Sequence, residues 1–105
     1  MRFDILTIFP EIFRSYLGES IIKRALKAKL ITIKIHDIRE YSKDKHKKVD
    51  DIPFGGGAGM VMTPQPLADC LTTIKKVNKG PVIYLSPQGR RFTQSKAERF
   101  AKQQE

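Results

Sequence analysis

A glycine-rich segment carries the residue types best suited to hold a ligand. Residues 50–62 read Asp-Asp-Ile-Pro-Phe-Gly-Gly-Gly-Ala-Gly-Met-Val-Met, with four glycines among residues 55–59. Inside a helix or strand, each glycine would cost about 0.5–1 kcal/mol relative to alanine. In a loop, glycines instead allow positive φ angles and leave backbone N–H groups open to a ligand or to another backbone. The apolar residues on both sides predict a loop that is anchored at both ends, unlike a flexible linker.

Two phosphate-binding loops are excluded by what surrounds these glycines. A P-loop needs Lys and Ser or Thr directly after its last glycine, whereas Met60 and Val61 follow Gly59. A dinucleotide-binding loop needs its glycines directly after a strand, whereas a charged and polar stretch precedes these. A structural turn and a substrate-binding loop both remain compatible with the sequence.

A basic stretch lies directly before the glycines. Residues 42–48 read Ser-Lys-Asp-Lys-His-Lys-Lys, and the absence of apolar residues predicts an exposed, mobile loop. The whole chain has 20 Lys and Arg against 11 Asp and Glu, a net charge of +9. Such an excess attracts polyanions and favours contact with nucleic acid. The four lysines of this stretch either contact phosphates or form a solvated loop.

A second candidate ligand loop follows an apolar run. Residues 82–85 read Val-Ile-Tyr-Leu and predict a short strand that is buried on both faces of a parallel sheet. Residues 86–89, Ser-Pro-Gln-Gly, then form a turn at the carboxyl end of that strand. Open α/β sheets bind ligands at this edge.

The elements that must position these loops predict an α/β fold. Residues 2–9 and 31–36 are rich in β-formers and alternate, so they predict two strands. Two helices lie between them, one beginning at Pro10 and one capped by Ser20, and a connection of this length implies parallel pairing. His36 is interpreted as a polar residue at a strand end, since no metal-ligand spacing accompanies it.

Two further helices follow the glycine segment. Thr63 is predicted to cap one with Pro64 at its first position, and the spacing of its apolar residues places Cys70 on the buried face. Cys70 is therefore interpreted as a core residue and not as a nucleophile. The last helix is predicted to begin at Thr93 or at the capping box formed by Ser95 and Glu98.

Length and composition limit the class of protein. One hundred and five residues make one modest domain or a part of a larger one. No apolar run approaches about 18 residues and no signal peptide opens the chain, so neither export nor membrane insertion is predicted. A single cysteine excludes an internal disulfide and fits a reducing compartment, which predicts a cytoplasmic protein.

Three motifs, in order, resemble the bacterial tRNA (guanine-N1)-methyltransferases of the TrmD family. They are Ile-Phe-Pro-Glu-Ile-Phe at residues 8–13, Val-Asp-Asp at 49–51 with the glycine segment 54–62, and Tyr-Leu-Ser-Pro-Gln-Gly at 84–89. The resemblance runs over the whole chain. It implies the SPOUT class, Rossmann-like α/β methyltransferases with a knotted sheet that work as homodimers. These enzymes transfer a methyl group from S-adenosylmethionine to N1 of the guanine on the 3′ side of the tRNA anticodon.

The resemblance also implies site residues. The predicted cofactor-binding residues form the first cofactor loop: Tyr84, Leu85, Ser86, Pro87, Gln88 and Gly89. The predicted guanine- and tRNA-binding residues lie in and beside the glycine segment: Asp50, Phe54, Gly55, Gly56, Gly57, Gly59 and Met60. A carboxylate can accept hydrogen bonds from the N–H edge of guanine, and an aromatic ring can stack on a base.

The same resemblance covers only the amino-terminal portion of the family's chain. The knot-closing segments, the general base and the carboxyl-terminal RNA-binding domain are expected downstream, so no catalytic residue and no metal site is assigned here. Residues 1–105 alone are expected to be inactive. The alternatives that remain are a basic RNA-binding module without methyl transfer, and a purely structural glycine turn.

Overall fold

The predicted α/β class is confirmed by a parallel strand pair with helices packed around it. The computed structural model describes residues 1–51, 56 and 59–103. In chain order these residues form β1 (Arg2–Thr7), α1 (Pro10–Leu17), α2 (Ser20–Lys27), β2 (Thr32–Asp37), a 3-10 turn (Ile38–Tyr41), β3 (Asp50–Asp51), β4 (Val61–Met62), α3 (Pro64–Lys75) and α4 (Gln94–Ala101).

Strands β1 and β2 are parallel and in register from Arg2 opposite Thr32 to Thr7 opposite Asp37. Alternation along the strands therefore puts Asp4 and Leu6 on the same face as His36. Helix α3 packs against β1 and the 3-10 turn, and α1 packs against β2. Helices α1 and α3 thus flank the strand pair, although Phe3 of β1 remains 44% exposed.

The core lies between β1, the 3-10 turn and α3. Its buried residues are Ile38, Val49, Cys70 and Ile74, and Leu6, Ile8 and Tyr41 pack against them. Cys70 is 0% exposed, and burial, together with the charge of Asp37, raises the pKa of its thiol to about 11. The prediction that Cys70 is a core residue is confirmed.

Helix starts agree with the sequence in three of four cases, and α1 begins at Pro10 as predicted. Thr63 occupies the capping position of α3 with Pro64 at the first position, but its side chain makes no capping hydrogen bond. The Thr93 hydroxyl caps α4 by accepting from Lys96 N–H at 3.3 Å. Ser20 does not cap α2, because Glu19 holds that position and Ser20, at φ 55°, is already the first helical residue. Its hydroxyl is therefore one position too late for the first turn.

The predicted third strand over residues 82–85 is wrong. These residues have no strand conformation, and they are 60%, 58%, 87% and 87% exposed in order from Val82 to Leu85. An apolar run indicates that a segment can be buried, but a strand also needs a hydrogen-bonding neighbour and a covering layer. The only strand pairings among the described residues are β1 with β2 and β3 with β4.

No helix within the described ranges is both long and apolar enough to cross a bilayer.

Candidate functional site

The glycine segment is closed at its base by an antiparallel hairpin. Asp50 pairs with Met62 and Asp51 with Val61, so β3 and β4 hold residues 52–60, here called the glycine loop, between them. The residue before the hairpin, Val49, is 1% exposed and belongs to the core. Its carbonyl accepts a hydrogen bond of 2.7 Å from Thr63 N–H. The prediction that the loop is anchored at both ends is confirmed.

The anchoring comes from backbone pairing and Val49 and not from the apolar residues that follow the glycines. Met60, Val61 and Met62 are 51%, 52% and 42% exposed. Their exposure leaves apolar surface along β4 and at its start. A two-stranded hairpin is marginal by itself, so buried Val49 and the bond from Thr63 N–H to its carbonyl supply the attachment to the domain.

Asp50 offers an available carboxylate at the base of the glycine loop. The residue is half-buried, and within the described part of the chain its carboxylate has no hydrogen-bond or ion-pair partner. Two glycines of the loop are described, Gly56 at φ 88° and Gly59 at φ 79°, and both are exposed. A side chain is strained in this left-handed region, which explains glycine there. Three predicted residues, Phe54, Gly55 and Gly57, lie outside the described residues.

Residues 42–48, here called the basic turn, are closed by their own hydrogen bonds. The buried hydroxyl of Ser42 donates to the Lys48 carbonyl at 2.5 Å and accepts from Asp44 N–H at 3.2 Å. The Asp44 carboxylate accepts from His46 N–H at 2.8 Å and from Lys48 N–H at 3.4 Å. Exposure of residues 43–48 is confirmed. The prediction that the whole stretch is exposed is wrong at Ser42, which is buried, and the hydrogen-bonded closure differs from the mobile loop that composition predicted.

The basic turn is also attached to α3. The Gln65 side chain accepts from Lys43 N–H at 3.2 Å and donates to the Tyr41 carbonyl at 2.7 Å. Since Gln65 lies in the first turn of the helix that supplies Cys70 and Ile74 to the core, the basic turn has a fixed position relative to the hairpin.

The second candidate loop forms the predicted turn without the predicted strand. Gly89 N–H donates to the Ser86 carbonyl at 3.1 Å, and Gln88 N–H donates to the Ser86 hydroxyl at 3.2 Å. A Cβ on Gly89 would lie 3.3 Å from the Ser86 oxygen, so a larger residue would crowd this turn. Pro87 and Gln88 are exposed, as are Tyr84 and Leu85 before them.

A buried carboxylate on β1 connects the sheet to the chain that leads to this turn. Asp4 accepts from Asn78 Nδ2 at 2.7 Å, and the Asn78 side-chain oxygen accepts from Gly80 N–H at 2.9 Å. Arg2 Nε lies 3.0 Å and His36 Nε2 2.7 Å from the same carboxylate. Because an ionised carboxylate only accepts, His36 Nε2 carries the proton. The interpretation of His36 as a polar strand residue is confirmed.

The Asp4 carboxylate is held in its charged form. Its side chain is 3% exposed, and this burial by itself raises the pKa. The hydrogen bonds from Arg2, Asn78 and His36, with the charge of Arg2, outweigh burial and lower the pKa to about 2. Sequence reasoning did not single out Asp4 or Asn78. The available signal was a carboxylate within a strand of mostly apolar residues.

The site is therefore a pair of exposed, backbone-closed loops without an evident acid–base pair. The described residues contain no group of three or more His, Cys, Asp or Glu that could hold a metal ion. A depression of about 430 Å³ lies elsewhere, between α1 and α2, lined by Tyr16, Ile21, Ile22 and their neighbours. If both loops hold the reactants that the family resemblance implies, they must face one cleft, and this stays a prediction.

Comparison with known proteins identifies relatives of the whole chain. A family model described as "tRNA (Guanine-1)-methyltransferase TrmD" matches residues 1–105. A tRNA (guanine-N(1)-)-methyltransferase of Clostridioides difficile is 54% identical over 104 residues, which are 96% of this chain and 45% of the relative. One of Clostridium botulinum strain Langeland is 53% identical over 105 residues, 100% of this chain and 43% of the relative.

A solved structure agrees with the fold. The tRNA (m1G37) methyltransferase of Aquifex aeolicus superimposes with a TM-score of 0.84 at 31% identity, over 98% of this chain and 47% of that one. The chain thus spans less than half the length of these relatives. Because the family model matches from the first residue to the last, the chain belongs to the tRNA (guanine-1)-methyltransferase TrmD family.

Proposed function

We propose that this chain is the amino-terminal part of an S-adenosylmethionine-dependent tRNA methyltransferase that methylates N1 of the guanine on the 3′ side of the anticodon. The observation that carries the proposal is the family match over all 105 residues, which include both candidate ligand loops. The enzyme would work in the cytoplasm on tRNA. By its resemblance to the family, the complete form would be a homodimer of knotted domains.

The hairpin is proposed to bind the target guanine. The Asp50 carboxylate forms no hydrogen bond or ion pair with a described residue, and a carboxylate can accept from the N–H donors on the edge of guanine. The glycines allow a base to approach the backbone closely, and Met60 adds exposed apolar surface beside it. Phe54, Gly55 and Gly57 are assigned to the same contact by resemblance.

The Ser86 turn is proposed to bind the cofactor. S-adenosylmethionine, when bound, supplies an electrophilic methyl group. The residues present fit such a ligand, because Tyr84 and Leu85 are each 87% exposed and offer an aromatic ring and an aliphatic side chain to a flat ring. The turn that follows is kept tight by Gly89, which leaves the backbone open to a ligand.

The contribution of this chain to catalysis is therefore positioning. Guanine N1 carries a proton, so its methylation needs a base and stabilisation of charge at O6. We assign neither role to a residue of this chain. Holding two reactants in line is worth several kcal/mol on its own, and residues 1–105 alone are expected to give no turnover.

A chimaera tests the proposal. Residues 1–105 replace the matching residues of the Clostridioides difficile relative, and methyl transfer to a tRNA transcript is measured with S-adenosylmethionine. Asp50→Asn is expected to raise the KM for tRNA about tenfold or more, because a charge-assisted hydrogen bond to guanine is lost. The KM for S-adenosylmethionine is expected to change little. Gly89→Leu is expected to raise the KM for S-adenosylmethionine instead. Glu11→Gln, at an exposed carboxylate, is the control.

Two results would contradict the proposal. A folded chimaera that binds tRNA without methyl transfer would favour the RNA-binding module. Unchanged KM values in Asp50→Asn and Gly89→Leu would favour the alternative that the glycine segment is only a structural turn.

A further inference from the structure

We propose that the basic turn, residues 42–48, is a preformed docking surface for RNA backbone phosphates beside the glycine loop. This inference rests on the proposed function for the identity of the RNA. It extends that function by assigning a separate binding surface to residues outside both ligand loops.

The first observation is uncompensated charge. The four lysines Lys43, Lys45, Lys47 and Lys48 are exposed, and none forms an ion pair with an acidic side chain among the described residues. The acidic residue within the turn, Asp44, directs its carboxylate to the backbone N–H groups of His46 and Lys48. The turn therefore presents several ammonium groups, and the one carboxylate within the turn is already engaged by the backbone.

The second observation is that the backbone under these lysines is fixed before any ligand arrives. Ser42 and Asp44 close the turn from inside, and Gln65 attaches it to α3. Lys47, at φ 56°, is held in a conformation that few non-glycine residues adopt. A surface that is already ordered loses less entropy on binding than a flexible tail of the same charge.

The third observation is proximity to the base-binding carboxylate. Lys48 precedes Asp50 by two residues, so their Cα atoms are at most about 7 Å apart. Val49 between them is buried, which fixes this relation. A nucleotide whose base contacts Asp50 therefore has backbone phosphates within reach of the basic turn. Lysine suits this role as a point charge that requires no particular base.

The occupant is argued from charge complementarity. The chain carries a net charge of +9, and an RNA strand is the polyanion that also presents a guanine to the neighbouring loop. An exposed single-stranded loop is the form of RNA in which a base can leave its stack while its phosphates stay in contact.

The experiment measures the salt dependence of binding to an RNA hairpin whose loop contains a guanine, without cofactor. The double variant Lys45→Gln and Lys48→Gln is compared with Lys23→Gln and Lys27→Gln on α2. Both variants remove two exposed lysines and change the net charge equally. Gln and Lys have similar helix propensity, so the control helix is expected to keep its fold.

The expected difference follows from counterion release. Each lost phosphate contact lowers the salt slope by about 0.7 for a single strand, so the basic-turn variant loses about 1.4. Between about 50 and 200 mM salt, the wild type should then weaken about sevenfold more than this variant does. The α2 variant should keep the wild-type slope. Equal slopes for the two variants, or no measurable RNA binding by the wild type, would overturn the proposal.

A second pair separates turn geometry from charge. Asp44→Asn and Asp44→Ala each remove one negative charge, but only Asn keeps an oxygen that accepts from His46 N–H. If the ordered turn matters, Asp44→Ala should bind the RNA about twofold or more weakly than Asp44→Asn. Equal affinities would overturn the claim of a preformed surface. If Asp44→Ala does not fold, the salt dependence of the Lys45→Gln and Lys48→Gln double variant tests the proposal.

The two proposals fail in different ways. Because this binding is measured without cofactor, loss of methyl transfer in the chimaera does not affect it. Conversely, the chimaera and its Lys45/Lys48 variant could methylate tRNA with the same KM for tRNA. That result would support the proposed function and contradict the docking surface.

Discussion

Asp4→Asn should destabilise the fold strongly at neutral pH and much less in acid. The carboxylate of Asp4 titrates at a pKa of about 2 in the folded chain, against about 3.9 for an unfolded aspartate. A difference of nearly two units corresponds to about 2.5 kcal/mol, reduced to about 2 because solvent screens the one-third-exposed Arg2 partner. The amide also presents an NH2 group to donors from Arg2, Asn78 and His36, which leaves at least one unpaired. The total expected loss is about 2–4 kcal/mol.

The sign of the pH dependence follows from the lowered pKa. The stabilisation by Asp4 is fully present above about pH 4, where the unfolded group is also ionised, and is lost as pH falls through about 2. The difference in free energy of unfolding between wild type and Asp4→Asn should therefore shrink across this window. What remains at the acid end is the misfit of the amide.

Urea unfolding followed by far-UV circular dichroism measures this difference, since the chain has no Trp. Glu11→Gln is the matched control. It makes the same carboxylate-to-amide change in an exposed pair with Arg14, where the expected effect is below about 1 kcal/mol. A difference between wild type and Asp4→Asn that stays constant from about pH 5 to pH 2 would refute the reasoning.

Three further outcomes follow from burial and backbone geometry. Cys70, 0% exposed and with its thiol pKa raised to about 11, should resist thiol reagents at neutral pH and react at the rate at which urea unfolds the chain. Val49→Ala should lower the free energy of unfolding by about 2 kcal/mol, whereas Val77→Ala, at a 60%-exposed position, should change it by less than about 0.5, both by urea titration. Gly59→Ala should cost about 1 kcal/mol of hairpin stability, because Gly59 has a φ of 79°, and should speed amide exchange at Asp51 and Val61. Gly18→Ala, where φ is not positive, should not alter that exchange.

The sequence predicted those features that depend on local pattern. Alternation predicted β1 and β2, Pro10 and Pro64 marked helix starts, and apolar spacing placed Cys70 in the core. The third strand was wrong because residues 82–85 satisfy the pattern of a buried strand without a neighbour to pair with among the described residues. The β3–β4 hairpin was not predicted because its strands have two residues each, too few for periodicity to register.

The sequence predicted which loops could bind ligands but not the contacts that attach these loops to the rest of the fold. Glycine content indicated a loop open to ligands, and the Ser-Pro-Gln-Gly run indicated a turn, which the Ser86–Gly89 hydrogen bond confirms. The contacts that hold these loops join residues far apart in sequence. Asn78 and Asp4, for example, are separated by 74 positions. No local pattern contains that information.

The two loops depend on different kinds of interaction, which makes them separable. The hairpin is attached through Val49, an apolar residue in the core, and the bond from Thr63 to its carbonyl. The path to the Ser86 turn is attached through the polar contact between Asp4 and Asn78, and the Asp4 carboxylate is sensitive to acid. Protonation of Asp4 should therefore speed amide exchange near Gly80 while β3 and β4 remain paired. Val49→Ala should speed amide exchange in β3 and β4 while the residues near Gly80 stay protected. If both segments lost amide protection together under each perturbation, the loops would be one cooperative unit and not two.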